Sequence, residues 1–162
     1  MRAVAALALL LLLPIGRPTP ASAEEWGGIE PGVSTVDAVR ARYGAPTKET
    51  REKVETYDTL RWVYEGAQAP GGIERMTIEY GLLTPQGYKP TLVRVIRLEP
   101  KAMVFGKNTV VQGFGVPDGT TSQNDQETFF YKSGLIVTFN KDGTDAVLLN
   151  FTPPQPDQPP KR

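Results

Sequence analysis

Two segments in the first half of the chain alternate between apolar and polar residues. In the segments 58–64 and 74–80 large apolar residues occupy positions 60, 62 and 64 and positions 76, 78 and 80, and the segment 91–98 that follows is rich in β-branched residues. Alternation with a period of two is typical of strands with one buried and one exposed face. The pattern predicts three antiparallel strands, whose buried face carries Leu60, Trp62, Tyr64, Met76, Ile78 and Tyr80.

A short helix is predicted ahead of these strands. Val39 and Tyr43 lie on one face of a helical pattern. Ser34, with Asp37 three residues later, has the spacing of a capping box, in which the hydroxyl accepts a backbone N–H of the first turn. Gly44 supplies a left-handed cap at the C-terminal end. A helix of about ten residues is not stable alone in water, so it must pack on the sheet.

The second half of the chain repeats this order. A weaker helix pattern covers 107–114, and strand patterns cover 126–132, 135–140 and 146–151. Local sequence repeats as well: Gly-Val-Ser-Thr-Val leads to Tyr-Gly-Ala-Pro in the first half, and Gly-Lys-Asn-Thr-Val leads to Phe-Gly-Val-Pro in the second. Similarity at a period of about 70 residues indicates an internal duplication.

The expected fold is therefore α+β, a tandem repeat of a short helix or helix pair packed on antiparallel strands. The first α-β-β-β repeat is expected at 24–99 and a second, degenerate one at 100–152. The segment 153–162 contains five prolines, which predicts a disordered, extended tail.

The first 23 residues have the organisation of a cleavable signal peptide. A short basic start precedes the almost wholly apolar segment 3–15, and small residues at 21–23 suit a signal peptidase. The apolar segment is shorter than the roughly 20 residues that span a bilayer as a helix. We predict cleavage after Ala23 and a periplasmic or secreted protein with no membrane span.

Composition excludes several classes of partner and chemistry. Loss of Arg2 and Arg17 with the leader leaves 16 basic against 18 acidic residues, which does not suit nucleic-acid binding. The sequence contains no cysteine, so it offers neither a disulfide nor the attachment point of a lipoprotein anchor.

Histidine is absent as well as cysteine. This excludes Ser-His-Asp and Cys-His catalysis and metal sites built from imidazole or thiolate. A glycosidase-type carboxylate pair would remain, but Glu74 and Glu79 fall on opposite strand faces. The oxygen-rich segment 118–127 lacks the spacing of a calcium loop. We expect no enzyme, no cofactor and no metal.

Candidate binding residues lie on the strand face opposite the predicted core. Arg61, Arg75, Thr77 and Glu79 occupy alternate positions there. Because three aromatic residues are consecutive at 129–131, both sheet faces carry aromatic surface, and we place Phe130 on the face away from the helices. Exposed aromatic residues of this kind anchor protein interfaces. These five residues form the predicted partner-binding site.

The segment 31–46, followed by Trp62-Val63-Tyr64 and a late hairpin, resembles the SmpA/OmlA family of outer-membrane assembly lipoproteins (BamE-like), which share a fold with the β-lactamase inhibitor proteins. The tandem arrangement is similar to the inhibitor proteins, which implies a BLIP-like fold. The chain lacks the acylated cysteine of the lipoproteins and the disulfides of the inhibitors, so the fold carries over better than either function.

The resemblance implies a place in the bacterial cell envelope, linked to outer-membrane assembly or integrity. The function we expect is that of a non-enzymatic interaction module that binds another envelope protein. The alternative is a periplasmic small-ligand or lipid-binding protein that uses the groove between the repeats. A deep apolar cavity between the halves would favour this carrier, whereas a flat sheet with exposed aromatic residues would favour protein binding.

Overall fold

The computed structural model describes residues 23–154. The predicted signal peptide, except for Ala23, and the tail beyond Pro154 lie outside the described residues. A short 3-10 helix, Gly66–Gln68, follows the second strand. The helices and strands, in chain order, are α1 (Val36–Tyr43), β1 (Lys48–Val54), β2 (Tyr57–Glu65), β3 (Ile73–Thr84), β4 (Gly87–Pro100), α2 (Lys107–Phe114), β5 (Gly119–Gln123), β6 (Gln126–Phe130), β7 (Leu135–Phe139) and β8 (Ala146–Phe151).

All eight strands of the described chain form one antiparallel sheet, in the order β1-β2-β3-β4-β8-β7-β6-β5. Neighbouring strands within each half are connected as hairpins, and the two halves meet where β4 pairs with β8. At this seam Ile96 faces Phe151 and Leu98 faces Leu149. The two halves therefore share one continuous sheet.

The hydrophobic core lies on the sheet face that carries the two helices. Each helix has one buried residue, Val39 in α1 and Val110 in α2, so the strands supply most of the core. Burying one large apolar side chain stabilises a fold by about 1.5–3 kcal/mol. The largest fully buried residues include Trp62, Tyr64, Tyr80, Phe139, Phe151, Met76, Ile78, Ile96, Leu98, Leu135 and Leu149.

The predicted fold class is wrong. The strands do not form two side-by-side helix-on-strand repeats of the BLIP-like kind, because they join into a single eight-stranded sheet with two helices of eight residues each. Each half has four strands instead of three. The strands missing from the prediction, β1 and β5, are polar and mostly exposed along their length, so they lack the alternation that marks a half-buried strand.

Ser34 does not cap α1. The N-cap is Thr35, and no side chain bonds to the first turn. The Ser34 backbone instead pairs with β4, where its carbonyl oxygen accepts the Val93 N–H at 2.9 Å. Its hydroxyl oxygen accepts the N–H of Glu30 at 2.9 Å. The predicted C-terminal end is confirmed, because Gly44 takes a φ of 76° as the cap of the helix.

Candidate binding surface

The sheet face opposite the two helices, which we call the outer face, is crossed by one row of residues that pair from strand to strand. Both helices pack on the other face, since Val39 and Val110 belong to the core. Side chains alternate between the two faces of a strand, so the members of this row point away from the core. From β1 to β5 the row is Lys48, Val63, Thr77, Arg97, Asn150, Ile136, Phe130 and Gly119.

A network of four charged residues lies on the outer face of the first half. Arg61 Nη1 is 3.3 Å from Glu52 Oε1, and Arg61 Nε is 3.4 Å from Glu79 Oε1. The second carboxylate oxygen of Glu79 lies 2.7 Å from Arg94 Nη2. Two arginines and two glutamates thus neutralise one another. The charge of Arg61 is already paired within the chain before any partner arrives.

Arg75 is the centre of a second network on this face. Its Nε is 3.1 Å from Glu65 Oε2, and its Nη1 is 3.5 Å from Glu99 Oε2. The hydrogen bond to Glu65, followed by the charge of Glu99, raises the pKa of the Arg75 guanidinium. Water and salt screen exposed pairs of this kind, so they add little to stability. Their main effect is to fix the position of the side chains on the surface.

Thr77 lies between the two networks, with Val63 and Arg97 as its cross-strand neighbours. It is on the face that the alternation predicts, but it is only 9% exposed, because longer side chains surround it. The four predicted residues of the first half therefore share one face. We call Arg61, Arg75 and Glu79 the ionic frame of this face, and Thr77 is buried between them.

Phe130 belongs to a separate cluster on the outer face of the second half. Its cross-strand partner is Ile136, and Leu148 on the next strand pairs with Thr138. We call Phe130, Ile136 and Leu148 the outer apolar patch. Phe130 is 39% exposed, although burial of an aromatic ring is a large favourable term. The sequence reasoning missed Ile136, although its position between buried Leu135 and Val137 shows that it points outward.

The sequence reasoning also missed an aromatic pair at the end of the first-half hairpins. The rings of Tyr57 and Tyr88 have centroids 4.4 Å apart, and the Tyr88 hydroxyl donates to the Asp58 carbonyl at 2.6 Å. The pair lines a cavity of about 310 Å³ together with exposed Leu83. Both tyrosines sit next to turns, where an alternation pattern has too few residues to be recognised.

Two further features of the described residues concern metal-binding clusters and membrane-spanning helices. Between residues 23 and 154 no three acidic side chains come together in a way that would hold a metal ion. Within the same range, none of the helices has the length and apolar character needed to cross a membrane.

Comparisons with known proteins place the chain by its fold alone. No family model matches it, and no curated protein is significantly similar to it. A solved structure with a similar fold is that of a DUF4309 family protein (YjgB) from Bacillus subtilis. The TM-score is 0.50 and the sequence identity is 14%, over 82% of this chain and 88% of that chain.

The resemblance to the SmpA/OmlA family is therefore wrong. No family model supports it, and the structural neighbour belongs to the DUF4309 family. The residues on which it rested, from Pro31 to Pro46, carry cap and turn chemistry. Gly44 and Pro46 end a helix ahead of a strand in the way that many unrelated proteins do, so the motif does not identify a family.

Proposed function

We propose that the protein is an exported, non-enzymatic interaction module of the bacterial cell envelope, and that the outer face of its sheet binds another envelope protein. The observation that carries the proposal is the partly exposed ring of Phe130, which lies beside Ile136 on a face that neither helix covers. The leader pattern at residues 1–23 supports export.

The packing between the two halves favours protein binding over a carrier function. The carrier reading needs a groove between the halves, but at this place β4 and β8 pair directly. Ile96, Leu98, Leu149 and Phe151, which meet across the seam, are fully buried. Side chains fill the boundary, while the outer face offers a surface that neither helix covers, with an apolar patch on its second half.

The charges of the outer face indicate how a partner would be recognised. Glu52, Arg61, Glu79 and Arg94 neutralise one another, so this half of the face attracts neither sign strongly. Affinity then depends on burial of the outer apolar patch, and the fixed ionic frame supplies shape and hydrogen-bonding groups at the rim. Protein interfaces commonly combine buried apolar contacts with polar groups of this kind.

The test is capture of partners from an extract of the organism's own cell envelope. The mature protein is compared with Phe130→Glu and with the control Val33→Glu, which makes the same charge change at a 63% exposed valine in the turn before α1. We expect Phe130→Glu to reduce recovery of the partner at least about tenfold, because an aromatic anchor buried in an interface contributes about 2 kcal/mol or more. Val33→Glu should recover it normally.

Recovery of the same proteins with wild type and Phe130→Glu would contradict the proposal. A small molecule that copurifies with both variants, detected by native mass spectrometry, would favour the carrier instead. Melting temperatures of the three proteins serve as the folding control.

A further inference from the structure

The two edges of the sheet differ in chemistry. Five of the seven residues of β1 are charged, and its ion pairs join Arg51 to Glu49, Lys53 to Asp58 and Glu52 to Arg61. Charged side chains on an edge strand hinder pairing with another strand. The opposite edge, β5, reads Gly-Thr-Thr-Ser-Gln, with neither charge nor proline. It pairs with β6 without a register shift.

Among residues 23–154, no strand pairs with the outer side of β5, so backbone groups are available there. In the sheet order β5 is terminal, with β6 as its neighbour. Successive residues of an antiparallel strand direct their N–H and C=O groups alternately towards and away from the neighbouring strand. Every second residue of β5 therefore presents a donor and an acceptor outward, and residues 120–123 are exposed. This geometry suits the addition of an extended peptide strand.

An open space at one end of β5 would accept a side chain of an added strand. Gly119 pairs with Phe130 on the outer face, and a Cβ added at Gly119 would meet no atom within 4 Å. The ring of Phe130 is partly exposed beside this space, with Ile136 behind it. A large apolar residue opposite an edge glycine leans across it and covers the neighbouring surface.

Charge indicates what flanks that apolar residue. Asp118 and Asp125 lie just beyond the two ends of β5, and both are exposed. The Asp118 carboxylate accepts the backbone N–H of Lys132 at 2.8 Å. Lys132 aside, none of the lysines or arginines between residues 23 and 154 forms an ion pair with either aspartate. Basic residues at the ends of an added strand would complement them. A second copy of β5 fits poorly, because β5 has no large apolar residue to cover Gly119.

We propose that β5 binds an extended segment of a partner protein by strand addition, with a large apolar residue opposite Gly119 and against Phe130 and with Lys or Arg at its ends. The inference deepens the proposed function and rests on it, because it names the kind of segment that the partner presents.

The test uses a defined probe. The probe is the acetylated and amidated peptide Lys-Thr-Thr-Thr-Thr-Thr-Leu-Lys. Added antiparallel to β5 with its Leu opposite Gly119, it places one Lys opposite Asp118 and the other opposite Asp125. It is titrated into the mature protein, in parallel with the same peptide carrying Gly in place of Leu. We expect the Leu peptide to bind about tenfold more tightly, the effect of burying one leucine side chain. Amide hydrogen exchange should slow within residues 119–123 when the Leu peptide is bound.

Two variants separate the parts of the proposal. Gly119→Leu fills the open space, and the backbone conformation at this position does not require glycine. The variant should therefore lose the preference for the Leu peptide. Thr121→Lys adds a charge to the edge and should weaken both peptides. The control Thr56→Lys makes the same change at an exposed threonine in the turn between β1 and β2, and it should bind both peptides normally.

Equal affinity of the two peptides for the wild type, or no effect of Thr121→Lys, would overturn the inference. So would sedimentation showing a dimer that Thr121→Lys dissociates, because the occupant of the edge would then be a second copy. If Phe130→Glu abolishes partner capture and Thr121→Lys does not, the proposed function stands and the strand-addition inference fails.

Discussion

Two buried tyrosines of the core, Tyr64 and Tyr80, differ in the hydrogen bonding of their hydroxyl groups. The Tyr64 hydroxyl donates to the carbonyl oxygen of Gly44 at 3.1 Å, at the C-terminal end of α1. The Tyr80 hydroxyl is buried and finds no hydrogen-bond partner among residues 23–154. Both rings pack against Trp62, with centroids 6.5 Å and 5.1 Å away. The rings therefore contribute similarly to the core, whereas one hydroxyl stabilises the fold and the other costs desolvation.

Replacing each of these tyrosines by phenylalanine removes the hydroxyl and keeps the ring. We expect Tyr64→Phe to lower the free energy of unfolding by about 1 kcal/mol, the usual net value of a hydrogen bond. Tyr80→Phe should leave it unchanged or raise it by up to about 1 kcal/mol. Urea unfolding at neutral pH measures both, and an equal loss in the two variants would show that Tyr80 has a bonded partner after all.

The candidate site residues show what alternation alone can predict. The period of two correctly placed Arg61, Arg75, Thr77 and Glu79 on one face, because side-chain direction along a strand depends only on position. It could not show that Thr77 is buried or that the arginines are paired. Those facts depend on the neighbouring strands, and the partners of Arg61 come from strands β1 and β3.

At the scale of elements, the turn between β6 and β7 is fixed to the end of β8. Gly134 has a φ of 97°, and its carbonyl oxygen accepts hydrogen bonds from the backbone N–H and the hydroxyl of Thr152, both at 3.0 Å. A Cβ at Gly134 would lie 2.2 Å from the Thr152 carbonyl oxygen. The backbone of the two segments thus approaches closely where a side chain cannot fit.

Gly134→Ala should therefore destabilise the protein by at least about 2 kcal/mol, through strain at positive φ and displacement of the Thr152 carbonyl. Gly71→Ala is the matched control, because a Cβ there meets nothing within 4 Å and its φ is not in the left-handed region. It should change stability by no more than about 0.5 kcal/mol. Thermal unfolding of both variants measures the difference. Similar melting temperatures would mean that the β6–β7 turn and the end of β8 separate readily.

The elements that sequence predicted well are those with a buried face. Helix α2 and strand β8 have the predicted bounds, and each of them buries apolar residues in the core. The edge strands β1 and β5 were missed, since each has one neighbour and little buried surface. Their conformation is set by pairing with β2 and β6, which are contacts that a local pattern does not contain.

For the molecule as a whole, the error in fold class has the same cause: a local pattern does not contain the pairing between distant strands. The sequence indicated two similar halves, but it held no signal that β4 and β8 pair through three residues some 50 positions apart in the chain. Such pairing depends on the complete sheet. The fold of the joined molecule therefore emerged only with the structure.

The stability of the whole molecule should fall at alkaline pH. Burial raises the pKa of Tyr64 from 10.0 to about 12 and raises that of Tyr80 as well. Because the unfolded chain ionises these phenols near pH 10, their contribution is fully present below that pH and is lost as the pH rises towards 12. We expect the melting temperature to decline above about pH 10. The decline should be shallower in the double variant Tyr64→Phe and Tyr80→Phe.

A decline of the same steepness in the double variant and the wild type would contradict this assignment. Tyr43 and Tyr131, whose pKa values burial also raises, remain in the double variant. They should account for the part of the decline that persists.

The last strand of the described chain, β8, lies between β4 and β7 near the middle of the sheet. Until residues 146–151 are free to pair, β4 lacks a partner for Ile96 and Leu98 along this edge, and β7 lacks one of its two neighbours. If the proposed export occurs with the N-terminus first, the chain therefore cannot complete its core while its C-terminal part is still inside the cell. The chain would then be translocated before it has folded completely, and β4 and β8 would pair only after translocation.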